Sequence, residues 1–326
     1  MLSRRPRQHI AVTVTVLAAS ALLVAGCSSG KSTSPAAPSA SSAPSVAAAF
    51  PATVTAKNGT VRVASQPTKI VSLSPTATED LFAIGAAAQV VAVDDQSTYP
   101  VSAPVTKLSG FKPDAEAIAK YNPDLVVVAD DSSKIVEQLA KLNVPVLWFD
   151  AANSLDDAYA QITALGQATG HADRAAAEVN TMKQKIGAAI AAAKKPATPL
   201  KYYYEVGNQP YYSATSKTFI GSIFAQFGLA NIADAADKTG TGYPQLSDEY
   251  IVTAAPDLVF LADTKCCQQS STTVAARPGW TGVPAVKNAA AKNTVVGLDD
   301  DIASRWGPRL VDLVQQISDA VTKAQG

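Results

Sequence analysis

The sequence predicts an α/β protein of two lobes, each built on a central sheet and joined by a long helical connector. Three observations carry that expectation. Short apolar runs alternate with helical patterns over residues 69–149 and resume after residue 200, as parallel sheets covered by helices require. Between them, residues 154–195 are Ala-rich and offer no strand. A unit of the first half recurs in the second at a constant displacement of 133 positions.

The chain opens with Arg4, Arg5 and Arg7 and no acid, then an apolar run to Ala25 interrupted by Thr and Ser. That run reads as a secretory signal over 1–26 rather than a membrane span. Val24-Ala25-Gly26-Cys27 places small residues before a cysteine, as the bacterial lipoprotein signal does, so cleavage before Cys27 and acylation of its thiol, with palmitate for example, are expected. Residues 27–49 are mainly Ser, Ala and Pro. Too little apolar surface is available there to offset the entropy of ordering, and the stretch is expected to be a tether.

The N-terminal lobe is expected over 50–153. Residues 69–73 read as a strand, 77–86 as a helix with Glu79 in its first turn, 89–93 as a strand and 114–120 as a short helix. A strand at 125–129, a helix at 133–142 and a strand at 144–149 complete it. The connector, 154–195, reads as two helices meeting near Gly170-His171. The C-terminal lobe, 196–326, brings strands at 201–206, 257–262 and 294–298, with helices at 219–227 and 308–323.

Formal net charge is zero, from 27 basic and 27 acidic residues, with no basic block after the signal; nucleic acid is thereby excluded as a main partner. Beyond the signal, His171 is the one histidine, too few for an imidazole-rich metal receptor. A hydrolytic triad would have to rest on that residue, which is expected instead to be a solvated helix-start residue. Gly221-Ser222 lacks the second glycine of a nucleophile elbow. An extracytoplasmic enzyme acting on a chelate or an envelope component remains the competing class. Cys266 and Cys267 are adjacent, which leaves a vicinal disulfide, plain thiols and a soft-metal pair open, although a ring of that size strains disulfide geometry. No resident cofactor is expected.

In the repeat, Glu116, Ile118, Pro123-Asp124-Leu125-Val126 and Ala129-Asp130 are matched by Glu249, Ile251, Pro256-Asp257-Leu258-Val259 and Ala262-Asp263. Each lobe should therefore present an equivalent glutamate on a short helix ahead of a Pro-Asp turn and a buried strand. A local alternative for both glutamates is stabilisation of a helix N-terminus, worth about 0.3–1 kcal/mol.

These residues resemble a known family, the class III periplasmic binding proteins for cobalamin, haem and iron-siderophore complexes. The resemblance runs through residues 70–85, Tyr99-Pro100, residues 121–126, residues 221–231 and Arg305-Trp306-Gly307-Pro308-Arg309. It implies two α/β lobes joined by a rigid helix, a cleft between them for a metal chelate, modest closure, and delivery to an ABC permease. It also implies that Glu116 and Glu249 dock into that permease. The partners expected are thus a chelate (ferric siderophore, corrinoid or haem) as cargo, the permease, and the membrane through a lipid; the receptor itself is expected to be a monomer.

Ligands of open α/β sheets lie beyond the carboxyl ends of the strands. The loops there contain Ser74, Pro75, Gln96, Tyr99 and Phe111 in the first lobe, and Tyr212, Tyr243, Asp301, Arg305 and Trp306 in the second. Aromatic faces with a few polar groups suit a flat or apolar chelate. Tyr243 and Arg305 align with ligand-contacting positions of the family and rank first. The first-lobe loops offer Gln96, Gly110 and Ala129 where corrinoid-binding members tend to place aromatics, and Arg277, Arg305 and Arg309 are the only arginines after Arg174, which counts against a strongly anionic cargo.

Overall fold

The computed structural model describes residues 50–326, so the signal, Cys27 and the tether expected over 1–49 lie outside the described residues. The described chain begins with a hairpin, β1 (Ala52–Ala56) and β2 (Gly59–Val63), paired antiparallel. The N-terminal lobe follows with β3 (Ile70–Leu73), α1 (Pro75–Ala83), β4 (Val90–Val93), α2 (Ala115–Ala119), β5 (Leu125–Val128), α3 (Ile135–Ala140) and β6 (Val146–Trp148). The connector is a pair of helices, α4 (Leu155–Thr169) and the longer α5 (Ala172–Ala192). They part at Gly170, whose φ of +80° ends α4 in a left-handed turn, a conformation that glycine adopts without steric cost.

The C-terminal lobe contains β7 (Lys201–Glu205), the two-residue strands β8 (Gly207–Asn208) and β9 (Tyr211–Tyr212), α6 (Phe219–Gln226), β10 (Ala230–Asn231) and β11 (Gln245–Leu246). It continues with α7 (Asp248–Ala254), β12 (Leu258–Leu261), α8 (Ser271–Ala275), α9 (Pro284–Lys287), α10 (Ala289–Lys292), β13 (Val295–Gly297), α11 (Asp300–Ala303) and α12 (Leu310–Gln325). Two parallel sheets of identical plan result, ordered β4-β3-β5-β6 and β10-β7-β12-β13.

Side chains alternate across a strand, and both sheets use that alternation to serve two cores. Ile70, Leu125 and Val127 of the first sheet and Tyr202, Tyr204, Leu258 and Phe260 of the second join one shared core with Leu165, Met182, Val314 and Ile317 of the connector and α12. The opposite faces feed separate cores, Val71, Leu73, Val126 and Val128 in one lobe and Tyr203, Val259, Leu261 and Trp280 in the other. Buried on both faces, β5 and β12 read as unbroken apolar runs. The α12 helix buries Leu310, Leu313, Val314, Ile317 and Val321, a helical stripe, and the Ser318 hydroxyl donates to the Ala189 carbonyl of α5 at 2.6 Å.

The repeat has a structural cause. The Asp124 carboxylate accepts from the backbone N–H groups of Thr68 and Lys69 at 2.8 and 2.9 Å, and its own N–H donates to the Lys69 carbonyl. Asp257 does the same to Lys201. In both lobes the Pro-Asp turn ties the start of the repeat strand to the start of its neighbour, β3 or β7. Glu116 and Glu249 are both exposed in the first turns of α2 and α7. Asp114 and Ser247 cap those helices, accepting from the N–H groups of Glu116 and Ala117 and of Tyr250 respectively.

Candidate functional site: the cleft between the sheets

A hollow of about 460 Å³ opens at the carboxyl ends of the second sheet's strands, walled on the far side by Ala151, Ala152 and Asn153. Of the residues expected from sequence to meet ligand, Tyr243, Arg305 and Trp306 line it, together with Tyr204, Lys217 and Phe219. Tyr243 is half-exposed. Its loop is held by Asp237, whose carboxylate accepts from the N–H groups of Thr241 and Gly242 at 3.1 and 3.0 Å. Burial raises the Tyr243 phenol above its ordinary range, so it meets a cargo as a neutral hydroxyl on an aromatic face. Trp306 donates from its indole N–H to Gln161 at 2.8 Å and sets an edge against Phe219. The Tyr204 hydroxyl donates to the Ala303 carbonyl.

The other expected contacts are placed elsewhere. Ser74 is buried, its hydroxyl accepting from the Ala77 N–H as the N-cap of α1, and Pro75 is the first residue of that helix. Neither lines the hollow. Gln96 contributes its backbone carbonyl, which accepts from Arg305 at 3.0 Å. Tyr99 covers the Arg309 guanidinium at 4.2 Å beside a second hollow. Phe111 and Tyr212 are exposed outside the lining of the first hollow. Asp301 pairs with Arg305 at 2.8 Å and Lys265 at 2.9 Å.

Glu79 corrects the sequence reading. The α1 helix starts at Pro75, not Ala77, so Glu79 lies beyond its first turn, where it is buried. Its carboxylate accepts from Arg305 at 3.0 Å and from Arg309 at 2.8 and 2.5 Å. Gly307 packs closely on this helix, where a Cβ would stand 3.3 Å from the Asp80 carboxylate. The partners stand 226 and 230 residues apart, and no local pattern announces such a contact.

A second ionic cluster also escaped the sequence reading. Glu205, fully buried at the end of β7, receives both terminal nitrogens of Arg277 at 2.7 and 2.6 Å. The guanidinium faces the rings of Trp280 and Tyr211 at 4.7 and 5.2 Å, within cation–π range. Asp263 is buried beside this pair, and burial, with the Glu205 charge second, pushes it up to about 7. The acid at the end of an otherwise apolar strand was the available signal. Cys266 and Cys267 follow as exposed free thiols. The Cys266 N–H donates to Asp300 at 2.9 Å, and the Cys266 thiol is pushed up to about 12, first by its hydrogen bond with Cys267. His171 stands half-buried at the start of α5.

Two parallel sheets sharing one helical core, with an aromatic hollow at their strand ends, define a two-lobed receptor for a small ligand. The sequence matches the family model described as periplasmic binding protein over residues 70–300, and the chain belongs to that family. It is 30% identical over 310 residues to an ABC transporter substrate-binding lipoprotein of Bacillus subtilis (strain 168), covering 92% of this chain and 93% of that one. It is 30% identical over 281 residues to a cobalamin-binding protein of Halobacterium salinarum, covering 84% and 75%. Among solved structures, the apo periplasmic haem-binding protein of Roseiflexus sp. RS-1 superposes with a TM-score of 0.69 at 25% identity, over 80% of this chain and all of that one. The vitamin B12-binding protein of Vibrio cholerae shares the fold, with a TM-score of 0.64 at 23% identity over 79% of this chain and 98% of that one.

Proposed function

We propose that the protein captures a metal chelate in the hollow lined by Tyr243 and Trp306 and hands it, chemically unchanged, to a membrane permease. The observation that carries this reading is the hollow itself, whose aromatic walls suit a flat, largely apolar complex. Relatives named for cobalamin and vitamin B12 make a corrinoid the first cargo to try, ahead of haem and ferric siderophores. Cargo stays between the lobes, 50–153 and 196–326, while the connector, 154–195, fixes their relation. Acylation at Cys27 anchors the receptor, as a monomer, on the outer face of the membrane.

Trp306 supplies the test. Tryptophan fluorescence of the domain from residue 50 onward is titrated with cyanocobalamin, haem and a panel of ferric siderophores. Saturable quenching that is lost in Trp306→Phe, with cargo recovered intact by mass spectrometry, is expected. Turnover of the chelate would favour the enzyme class, and an unchanged signal across the panel would overturn the cargo. Glu116 and Glu249, like charges on equivalent capped helices, suit a two-fold partner surface. Glu116→Ala with Glu249→Ala should stop uptake while cargo affinity stays the same; loss of affinity would sink the docking role. Cys27→Ser should release the protein from the membrane fraction.

A further inference from the structure

Arg305 and Lys217 are the charged residues lining the hollow, and Arg305 is already neutralised. One terminal nitrogen donates to Glu79 at 3.0 Å; the other donates to Asp301 at 2.8 Å and to the Gln96 carbonyl at 3.0 Å. Arg309 spends its Nε and one terminal nitrogen on the same Glu79. Lys265 extends the network from Asp301 to Asp299 at 2.9 and 2.8 Å, so three cationic side chains face three carboxylates and the cluster carries no net charge. The Glu79 side chain is 2% exposed and that of Arg305 10%, so these charge-assisted bonds are little weakened by water. Lys217 is exposed at the rim, where salt and solvent screen it.

A carboxylate-bearing cargo that sought Arg305 would have to displace Glu79 or Asp301, or lie against them as a like charge. Displacing Glu79 would also strip Arg309 of its buried partner. A chelate fringed by amides or hydroxyls meets neither obstacle and uses the aromatic walls. We propose that Glu79 is a specificity-determining residue: by neutralising Arg305 and Arg309 it sets the cleft for a metal chelate without net negative charge. This rests on the chelate reading above and narrows it to one chemical class. If Glu79 merely clasped the lobes, its removal would lower stability and weaken all cargoes alike, leaving their ratio unchanged.

Matched pairs of ligands separate charge from shape. Cyanocobalamin is compared with the same molecule after hydrolysis of peripheral amides to carboxylates, and haem dimethyl ester with haem. The neutral member of whichever pair binds should be preferred by the wild type by roughly tenfold or more, with an affinity that varies little between low and high salt. Glu79→Gln should narrow or reverse that preference. Asp301→Asn, at a more exposed member of the network, should shift it the same way by less, and it carries the test if Glu79→Gln does not fold. Equal or tighter binding of the anionic member by the wild type overturns the charge assignment alone. A preference that neither variant moves removes Glu79 as its origin. Binding of neither pair overturns the chelate reading and this inference with it.

Discussion

At equivalent places in the two sheets the lobes carry opposite chemistry. Leu73 of β3 lies opposite Val128, and Glu205 of β7 lies opposite Leu261, the repeat-mate of Val128. Both side chains are buried. In the first lobe Leu73 packs into an apolar cluster; in the second, Glu205 requires Arg277, and Arg277 lies over the adjoining rings of Tyr211 and Trp280. The next repeat pair diverges with them. Asp130 is exposed, and its hydrogen bonds with Ser132 hold it below the usual carboxylate range. Asp263 is buried beside a carboxylate and held up to about 7. One topology therefore tolerates either an oily or an ionic strand end, and the ionic one makes its lobe sensitive to substitution and to pH.

The largest test of that contrast removes the counter-charge. Arg277→Met should destabilise the protein by about 3–5 kcal/mol, because it leaves Glu205 buried and unpaired. Glu205→Leu combined with Arg277→Met, which makes the second lobe resemble the first, should be neutral or stabilising by up to about 4 kcal/mol. Urea unfolding followed by circular dichroism measures both. A cost below about 1 kcal/mol for Arg277→Met would mean that the pair does not hold this strand end.

The pH dependence follows from Asp263. Glu205 and Arg277 face it, with the Tyr203 phenol close to Glu205. Its folded value lies near 7 and its ordinary value is 3.8, so between those limits the folded state binds more protons than the unfolded one. Stability from this group is then present below about pH 4, is lost as pH rises through 7, and changes little above. Asp263→Asn removes the titration. Relative to the wild type it should gain about 2–4 kcal/mol on going from pH 4 to pH 8. Parallel stability curves for the two proteins would place the carboxyl group in contact with water instead.

How far the sequence could foretell this contrast depends on the range of each interaction. The strands were legible because runs such as Leu125–Val128 and Leu258–Leu261 are apolar throughout and flanked by Pro-Asp turns. The connector was legible because Ala-rich helices carry no competing strand signal. The β1–β2 hairpin went unread although Asn58-Gly59 stands between alternating Thr and Val residues, a hairpin signature. The cleft was half legible. Tyr243 and Trp306 stand where strand-end loops should place them, whereas Glu79 with Arg305 and Arg309 joins residues more than 200 positions apart. A charge inside an otherwise apolar helix face was the one local trace of that contact. Likewise, the Tyr-Tyr-Tyr-Glu run of β7 reads as a strand, but nothing near it names Arg277 as its partner.

The smallest expected difference between the lobes concerns the two Pro-Asp turns. Asp124 accepts from two backbone N–H groups and the Thr68 hydroxyl, while Asp257 accepts from one backbone N–H, that of Lys201. A net hydrogen bond to a charged acceptor contributes about 1.5–3 kcal/mol when sheltered and less at the surface. Asp124→Ala should therefore cost about 2 kcal/mol and Asp257→Ala about 1 kcal/mol. Hydrogen exchange at the Thr68, Lys69 and Lys201 amides places each loss at its strand. Equal costs would show that the repeat works through the shape of the turn, since Pro123 and Pro256 fix the backbone equally in both lobes. Unequal costs in the stated order would mean that the carboxylate ties each strand pair, more firmly in the N-terminal lobe than in its repeat.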